Sequence, residues 1–271
     1  MSSARTVLDR PGGPDGDEQE LPSRAVVLAG GQGSRLRPYT IVLPKPLLPV
    51  GDQAILDIVV RQLRARGFTR VTFAVGYLAH LIEAIFADGS EHGVAIDYHH
   101  ERAPLGTAGA LAGISDLDEP FLMLNGDVLT TLDFRELVRV HVASGNVFTI
   151  ATHRRIVETD YGVLELDGRD GVTRKVTGYQ EKPQIPCIVS MGVYVASPEV
   201  LRYIPPGERF DVPDLVRRLL DAGEPVGSYL FDGYWLDIGR HDDYQRATAD
   251  YDALGSLLLG ESIVEDPRKA D

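Results

Sequence analysis

Short Val/Ile/Phe-rich segments alternate with longer amphipathic ones from Arg24 onward, an order that predicts a doubly wound α/β domain on a mostly parallel sheet. Two further observations agree. Arg24-Ala25-Val26-Val27-Leu28 has the length and Val/Leu content of a strand buried on both faces, as parallel sheets require. The chain has 271 residues, 44% of them hydrophobic, enough for one large domain with a sizeable core.

Taken in order, residues 1–22 carry Pro-Gly-Gly-Pro-Asp-Gly-Asp-Glu-Gln-Glu and almost no apolar content, and predict a disordered lead-in. The domain proper is expected over 23–255, with a tail over 256–271. Strands are predicted at 24–29, 70–75, 94–98, 121–125 and 147–152, and helices near 53–66, 78–88, 107–114 and 133–143. The second half is more mixed, with short strands around 162–166, 172–179, 188–196 and 226–231. One helix there is clear: Val212, Leu215, Val216, Leu219 and Leu220 share a face, started by Asp211 and stopped by Gly223 and Pro225. A last helix is expected from Asp242 to about Asp252.

Residues 29–46 read Ala-Gly-Gly-Gln-Gly-Ser-Arg-Leu-Arg-Pro-Tyr-Thr-Ile-Val-Leu-Pro-Lys-Pro directly after the first strand. Gly30, Gly31 and Gly33 give a turn whose backbone amides can approach phosphate oxygens closely. Arg35 adds a bidentate cation and Lys45 a compact one. Pro44 and Pro46 are expected to hold Lys45 in an extended segment. The whole reads as a cradle for a polyphosphate, although a glycine turn alone is also an ordinary tight connection. A P-loop would need Gly-Lys-Ser/Thr, and this one has Gly33-Ser34-Arg35. A dinucleotide fingerprint would need glycine where Leu36 stands.

The formal net charge is −13, with no dense Lys/Arg cluster, which argues against nucleic acid or an anionic membrane as partner. An acidic protein that takes anionic substrates must concentrate its few cations, and Arg35, Lys45 and Lys182 are the candidates. No apolar run approaches the ~20 residues of a membrane span, and no secretory signal is visible. Cys187 stands alone, so an intrachain disulfide is excluded and a cytoplasmic protein is expected.

Leu122-Met123-Leu124-Asn125-Gly126-Asp127 is an apolar strand that ends in an aspartate, where open α/β sheets bind ligands. Asn-Gly-Asp is equally a common turn. In Tyr234-Trp235-Leu236-Asp237-Ile238-Gly239-Arg240, Trp235 and Asp237 share one face of a strand.

The loop with Arg35 and Pro-Lys-Pro resembles the signature of the sugar-1-phosphate nucleotidyltransferases, closest to the mannose-1-phosphate guanylyltransferase-like members, over residues 24–250. The resemblance implies a Rossmann-like fold with a smaller mixed sugar-binding part, and transfer of a nucleotidyl group from an NTP to a sugar 1-phosphate with release of pyrophosphate. It places Leu28, Ala29, Gly30, Gly31, Gly33 and Ser34 on the triphosphate, with Arg35 and Lys45 offsetting charge at the reacting phosphates. Asp127 and Asp237 match the family's paired metal aspartates, which implies Mg2+, a hard cation seldom held by an all-protein cage. Asn125, Gly162, Glu181, Lys182, Met191 and Gly192 match sugar-phosphate segments. The family's members leave homodimer and homotetramer open, and no repeated hexapeptide announces the β-helix domain that some carry.

Glu101, Leu105, Gly106 and Thr107 fall in a segment that resembles the nucleobase site. Many uracil- and thymine-binding relatives carry glutamine where this chain has Glu101. A carboxylate only accepts hydrogen bonds, and guanine offers two adjacent donors where uracil and thymine offer one between carbonyls. Mispairing there costs about 1–3 kcal/mol. GTP is therefore favoured, with dTTP or UTP as the alternative; Glu101 could instead pair with Arg102 and leave base choice to the backbone. A catalytically silent sugar-nucleotide binder is disfavoured, since the loop glycines, Arg35, Lys45 and both aspartates are all present.

Overall fold

The computed structural model describes residues 21–168 and 172–259. Most of the expected lead-in and tail lies outside these residues. Leu21 and Pro22, assigned to the lead-in, belong to the fold: both carbonyls accept from the Arg135 guanidinium, and Leu21 packs on the core.

The chain begins with β1 (Arg24–Ala29), in which Ala25, Val26, Val27 and Ala29 are buried. Three 3-10 turns follow, then a small hairpin of β2 (Pro49–Val50) and β3 (Gln53–Ala54). α1 (Ile55–Ala65) leads to β4 (Arg70–Val75), α2 (Ala79–Phe86) and β5 (Ala95–His100). The single turn α3 (Gly106–Gly109) runs into a 3-10 turn and on to β6 (Phe121–Asn125) and β7 (Val128–Thr130). α4 (Phe134–Ser144) is capped by Asp133, whose carboxylate accepts from the Arg135 and Glu136 amides, and ends at Gly145 in the left-handed conformation. β8 (Phe148–Glu158), β9 (Val163–Leu166), β10 (Val176–Gln180) and β11 (Gln184–Ala196) precede α5 (Val212–Asp221). β12 (Val226–Leu230), β13 (Trp235–Asp237) and α6 (His241–Leu258) complete the fold.

Seven strands form one sheet in the order β12-β8-β11-β6-β1-β4-β5. Only β11 is reversed, antiparallel to both β6 and β8; the pairs β12–β8, β6–β1, β1–β4 and β4–β5 are parallel. The chain winds from β1 outward through β4 to β5, then crosses back to β6 on the other side of β1. That reversal opens a crevice beyond the carboxyl ends of β1 and β6.

Apolar side chains cover both faces of the sheet. Leu56, Val60, Leu63, Ile82, Phe86, Phe134 and Leu137 pack on one face, and Leu111, Leu215 and Leu219 on the other. A third cluster, with Leu36, Ile55, Ile58, Leu236, Ile238 and Leu258, ties α6 to β7 and β13 beside the crevice.

Four elements, β8, β11, α5 and α6, depart from expectation. β8 and β11 run on past the carboxyl end of β6 as a two-stranded ribbon bearing the β9–β10 pair, so both are longer than predicted. α6 extends to Leu258 because Leu254 and Leu258 continue the apolar face that Ala247 and Tyr251 begin. In α5, Leu220 is exposed, and the buried stripe is Val212, Leu215 and Leu219.

Candidate active site

The loop after β1 is shaped by what surrounds its glycines. Gly33 has φ +58°, and a Cβ there would lie 2.9 Å from Thr40 Cγ2 and 3.1 Å from Lys45 Cβ. The Thr40 hydroxyl donates to the Gly33 carbonyl at 2.8 Å, closing the loop back on itself. Gly30 lies against the carboxylate of Glu101: a Cβ there would stand 2.6 Å from Oε1. Arg35 belongs to the 3-10 turn Ser34–Leu36, which buried Leu36 anchors. Lys45 is not extended as expected; it opens a 3-10 turn, Lys45–Leu47. Pro46 suits the second position of such a turn, where its fixed φ fits and no amide is needed. The Leu47 and Leu48 amides then donate to the Pro44 and Lys45 carbonyls at 2.9 and 3.1 Å. Pro44 and Leu48, on either side of the turn, keep the extended conformation.

The two aspartates meet through the pairing of β7 with β13. Val128 stands opposite Asp237, and the Ile238 amide donates to the Asp127 carbonyl at 3.2 Å. Lys45 Nζ forms an ion pair with Asp127 Oδ2, their side chains 11% and 22% exposed. Asp127 Oδ1 is buried without a hydrogen-bond partner. Desolvation and the charge of Asp127 push the Asp237 carboxyl above its ordinary pKa, while Lys45 and Arg35 partly oppose them. Among the described residues no group of three or more His, Cys, Asp or Glu is arranged to hold a metal. The orphaned Asp127 oxygen and the neighbouring Asp237 carboxylate fit a hard divalent cation that completes its shell with phosphate and water.

These parts face one cleft of about 430 Å³ at the crevice. It is lined by Leu28, Ala29, Gly30, Gly31, Gly33, Ser34, Arg35, Lys45, Glu101, Gly106, Thr107, Asn125, Asp127 and Asp237. A family model described as nucleotidyl transferase matches residues 24–253. The chain belongs to the sugar-1-phosphate nucleotidyltransferase family. A UTP–glucose-1-phosphate uridylyltransferase from Synechocystis is 35% identical over 83% of this chain and 62% of its own length. The mannose-1-phosphate guanylyltransferase catalytic subunit beta of Danio rerio is 33% identical over 82% of this chain and 62% of its own. The chain thus spans a little under two thirds of the length of these curated relatives. A Bacillus anthracis structure, provisionally described as a glucose-1-phosphate thymidylyltransferase with sucrose bound, is 26% identical. It superposes with a TM-score of 0.68, covering 83% of this chain and 94% of its own.

Within this nucleotidyltransferase fold the expected nucleotide side gathers at the cleft, and the expected sugar side largely does not. Leu105 stands just behind the lining, its amide donating to Glu101 Oε2 at 2.8 Å, so Glu101 turns into the wall while Arg102 is exposed. Met191 is buried, and its carbonyl accepts from Trp235 Nε1 at 2.9 Å. Gly192, with φ +74°, backs Asn125, since a Cβ there would lie 2.6 Å from the Asn125 amide nitrogen. Gly162, Glu181 and Lys182 are exposed, away from the lining, at the end of the ribbon. There the Tyr179 hydroxyl donates to Glu181 and its ring covers Gly162.

Sequence reading missed five lining residues: Pro46, Pro104, Gly126, Arg209 and Asp211. Gly126 was within reach, since it sits between Asn125 and Asp127, and its amide donates to the Leu28 carbonyl at 2.9 Å, clamping β6 to β1. Arg209 belongs to none of the motifs, and Asp211, an aspartate before a helix, reads as a cap.

Proposed function

We propose that this chain transfers a guanylyl group from GTP to a sugar 1-phosphate and releases pyrophosphate. The observation that carries the reading is the single cleft in which the glycine loop, Arg35, Lys45, Asp127 and Asp237 converge. The triphosphate lies along Gly30–Arg35, where backbone amides and the Arg35 guanidinium receive its oxygens. Asp127 and Asp237 would hold Mg2+, which when bound neutralises phosphate charge. Lys45, beside Asp127, meets the α-phosphate region and offsets charge that builds there.

The ribbon bearing Glu181 and Lys182 projects from the same carboxyl edge of the sheet, and the sugar phosphate is received between ribbon and cleft. Its phosphate oxygen is already anionic, so no general base is required. That oxygen forms a bond to the α-phosphorus as the bond from the α-phosphorus to the bridging oxygen of the β-phosphate breaks. Catalysis is alignment and charge stabilisation.

Glu101 supports the choice of GTP. Oε2 is engaged by the Leu105 amide, and Oε1 faces Gly30, leaving acceptor capacity toward the N1–H and amino group of guanine. The relatedness to the Synechocystis uridylyltransferase, at 35% identity, favours a second reading in which UTP or dTTP is the donor and Glu101 only braces the wall.

Pyrophosphate release is measured with GTP, dTTP, UTP, CTP and ATP against a panel of sugar 1-phosphates in Mg2+. A GTP preference with any acceptor supports the first reading. A UTP or dTTP preference replaces it with the second, and no release with any pair rejects nucleotidyl transfer to these acceptors.

A further inference from the structure

The cleft wall formed by Leu105–Gly109 is held by carboxylates from two sides. On one, Glu101 accepts from the Leu105 amide at 2.8 Å. On the other, Asp211 Oδ1 accepts from the Thr107 amide at 2.9 Å and from the Thr107 hydroxyl at 3.3 Å. Asp211 stands at the N-cap of α5, where an aspartate ordinarily accepts from the amides of its own helix. Its side chain makes no such bond. Thr107 supplies a cap instead, its hydroxyl oxygen accepting from the Val212 amide at 2.9 Å. The two residues exchange caps across the wall.

The backbone repeats the junction. The Ala108 and Gly109 amides donate to the Phe210 carbonyl at 3.0 and 2.8 Å, and the Phe210 amide donates to the Leu105 carbonyl at 2.8 Å. There is no slack in it. Gly106 has φ +80°, and a Cβ there would stand 2.6 Å from Asp211 Oδ1. A Cβ on Gly109 would come within 2.8 Å of the Glu208 carbonyl oxygen. The other Asp211 oxygen faces Arg209 Nη2 at 3.6 Å, and both residues border the cleft.

A carboxylate in the wall of a cleft that takes anions disfavours them, a repulsion Arg209 offsets in part, so its place there calls for other work. Fixing Thr107 is that other work. We propose that Asp211 is a positioning residue for the nucleotide, acting through the Leu105–Gly109 turn to set the width between that turn and the glycine loop. Base selectivity then depends on Asp211 although it lies outside the segment that reads the base. This inference rests on the nucleotidyl-transfer reading.

The test is equilibrium binding of GTP and of UTP to the full chain, the Asp211→Ala variant and the Asp211→Asn variant, with melting temperature followed in parallel. Asparagine keeps the acceptor that Thr107 uses, whereas alanine removes it. We expect Asp211→Ala to weaken GTP binding about tenfold and to narrow the ratio between the two nucleotides, and Asp211→Asn to stay within about threefold of the unmodified chain. Unchanged affinity and ratio in Asp211→Ala overturn the inference, as does an equal loss in both variants, which would mark a charge effect rather than positioning. Should Asp211→Ala not fold, Thr107→Val decides. It removes the hydroxyl shared by Asp211 and Val212, severalfold weaker GTP binding is expected, and unchanged binding overturns the inference. If the unmodified chain binds neither nucleotide, the reading with GTP or UTP as donor fails and this inference falls with it. If the unmodified chain binds and only the variant prediction misses, the inference fails alone.

Discussion

Lys45 and Asp127 form an ion pair at the floor of the cleft, and only one of the two aspartate oxygens takes part. The pair joins the Lys45–Leu47 turn to the segment that follows the central strand β6. Replacing Lys45 with alanine leaves a mostly buried carboxylate without its cation. Lys45→Ala is expected to lower turnover about a hundredfold or more and to destabilise the fold by about 1–3 kcal/mol. Steady-state kinetics and denaturant unfolding measured together check both.

Gly33 and Thr40 set the curvature of the phosphate loop. In Gly33→Ala the new Cβ meets Thr40 Cγ2 at 2.9 Å while φ stays at +58°. A loss of about 1–2 kcal/mol and a raised KM for the NTP are expected. Thr40→Val keeps the volume and removes the 2.8 Å bond to the Gly33 carbonyl. It is expected to cost about 1 kcal/mol and to raise KM less than Gly33→Ala does. An unaltered KM in both variants would show that the loop does not need this brace.

Glu101→Gln tests the base reader. Glutamine presents a donor beside an acceptor, the pattern suited to uracil and thymine. The variant is expected to lose about ten- to a hundredfold in kcat/KM with GTP and to gain with UTP or dTTP. Competition between the nucleotides in one pyrophosphate assay reads the change. A ratio that does not move would assign Glu101 to holding the Leu105 amide alone.

Much of this site was legible because its parts are local strings. The strand ending at Asn125 is a continuous apolar run, and it forms over Phe121–Asn125 as read; Arg70–Val75 behaves likewise. The approach of Glu101 to Gly30 and the junction of Thr107 with Asp211 were not legible, because no local pattern encodes them. Thr107 and Asp211 are 104 residues apart in the chain, and only the packing of α5 against α3 brings them together. The turn at Lys45 was misread because flanking prolines suggest extension, whereas the buried Leu47 and Leu48 draw the segment inward. The length of α6 depends on a third apolar cluster that no periodicity over Asp242–Asp252 could reveal.

His141 gives a prediction about acid stability. It is buried between two hydroxyls, with Nδ1 2.8 Å from Thr149 Oγ1 and Nε2 2.9 Å from Ser197 Oγ. Burial pushes its pKa down from 6.5 to about 4, against a small opposing pull from Glu199. The unfolded chain therefore takes up this proton before the folded one. The contribution is fully present above pH 6.5 and is lost as pH falls through about 4. The loss is on the order of 3 kcal/mol. Urea unfolding at pH 7 and pH 4 should show a shallower acid loss in His141→Gln than in the unmodified protein. Equal losses would remove His141 as a source of acid sensitivity.

The cleft joining Asp127, Asp237, Lys45 and the glycine loop is proposed to perform nucleotidyl transfer with a divalent cation. The most direct measurement is pyrophosphate release by the unmodified chain and by Asp127→Ala, each with Mg2+ and with excess chelator, using the preferred NTP and acceptor. Turnover is expected only for the unmodified chain in Mg2+, with Asp127→Ala folded but slower by several orders of magnitude. An Asp127→Ala variant that turns over at the unmodified rate, or undiminished release in chelator, would contradict the proposal.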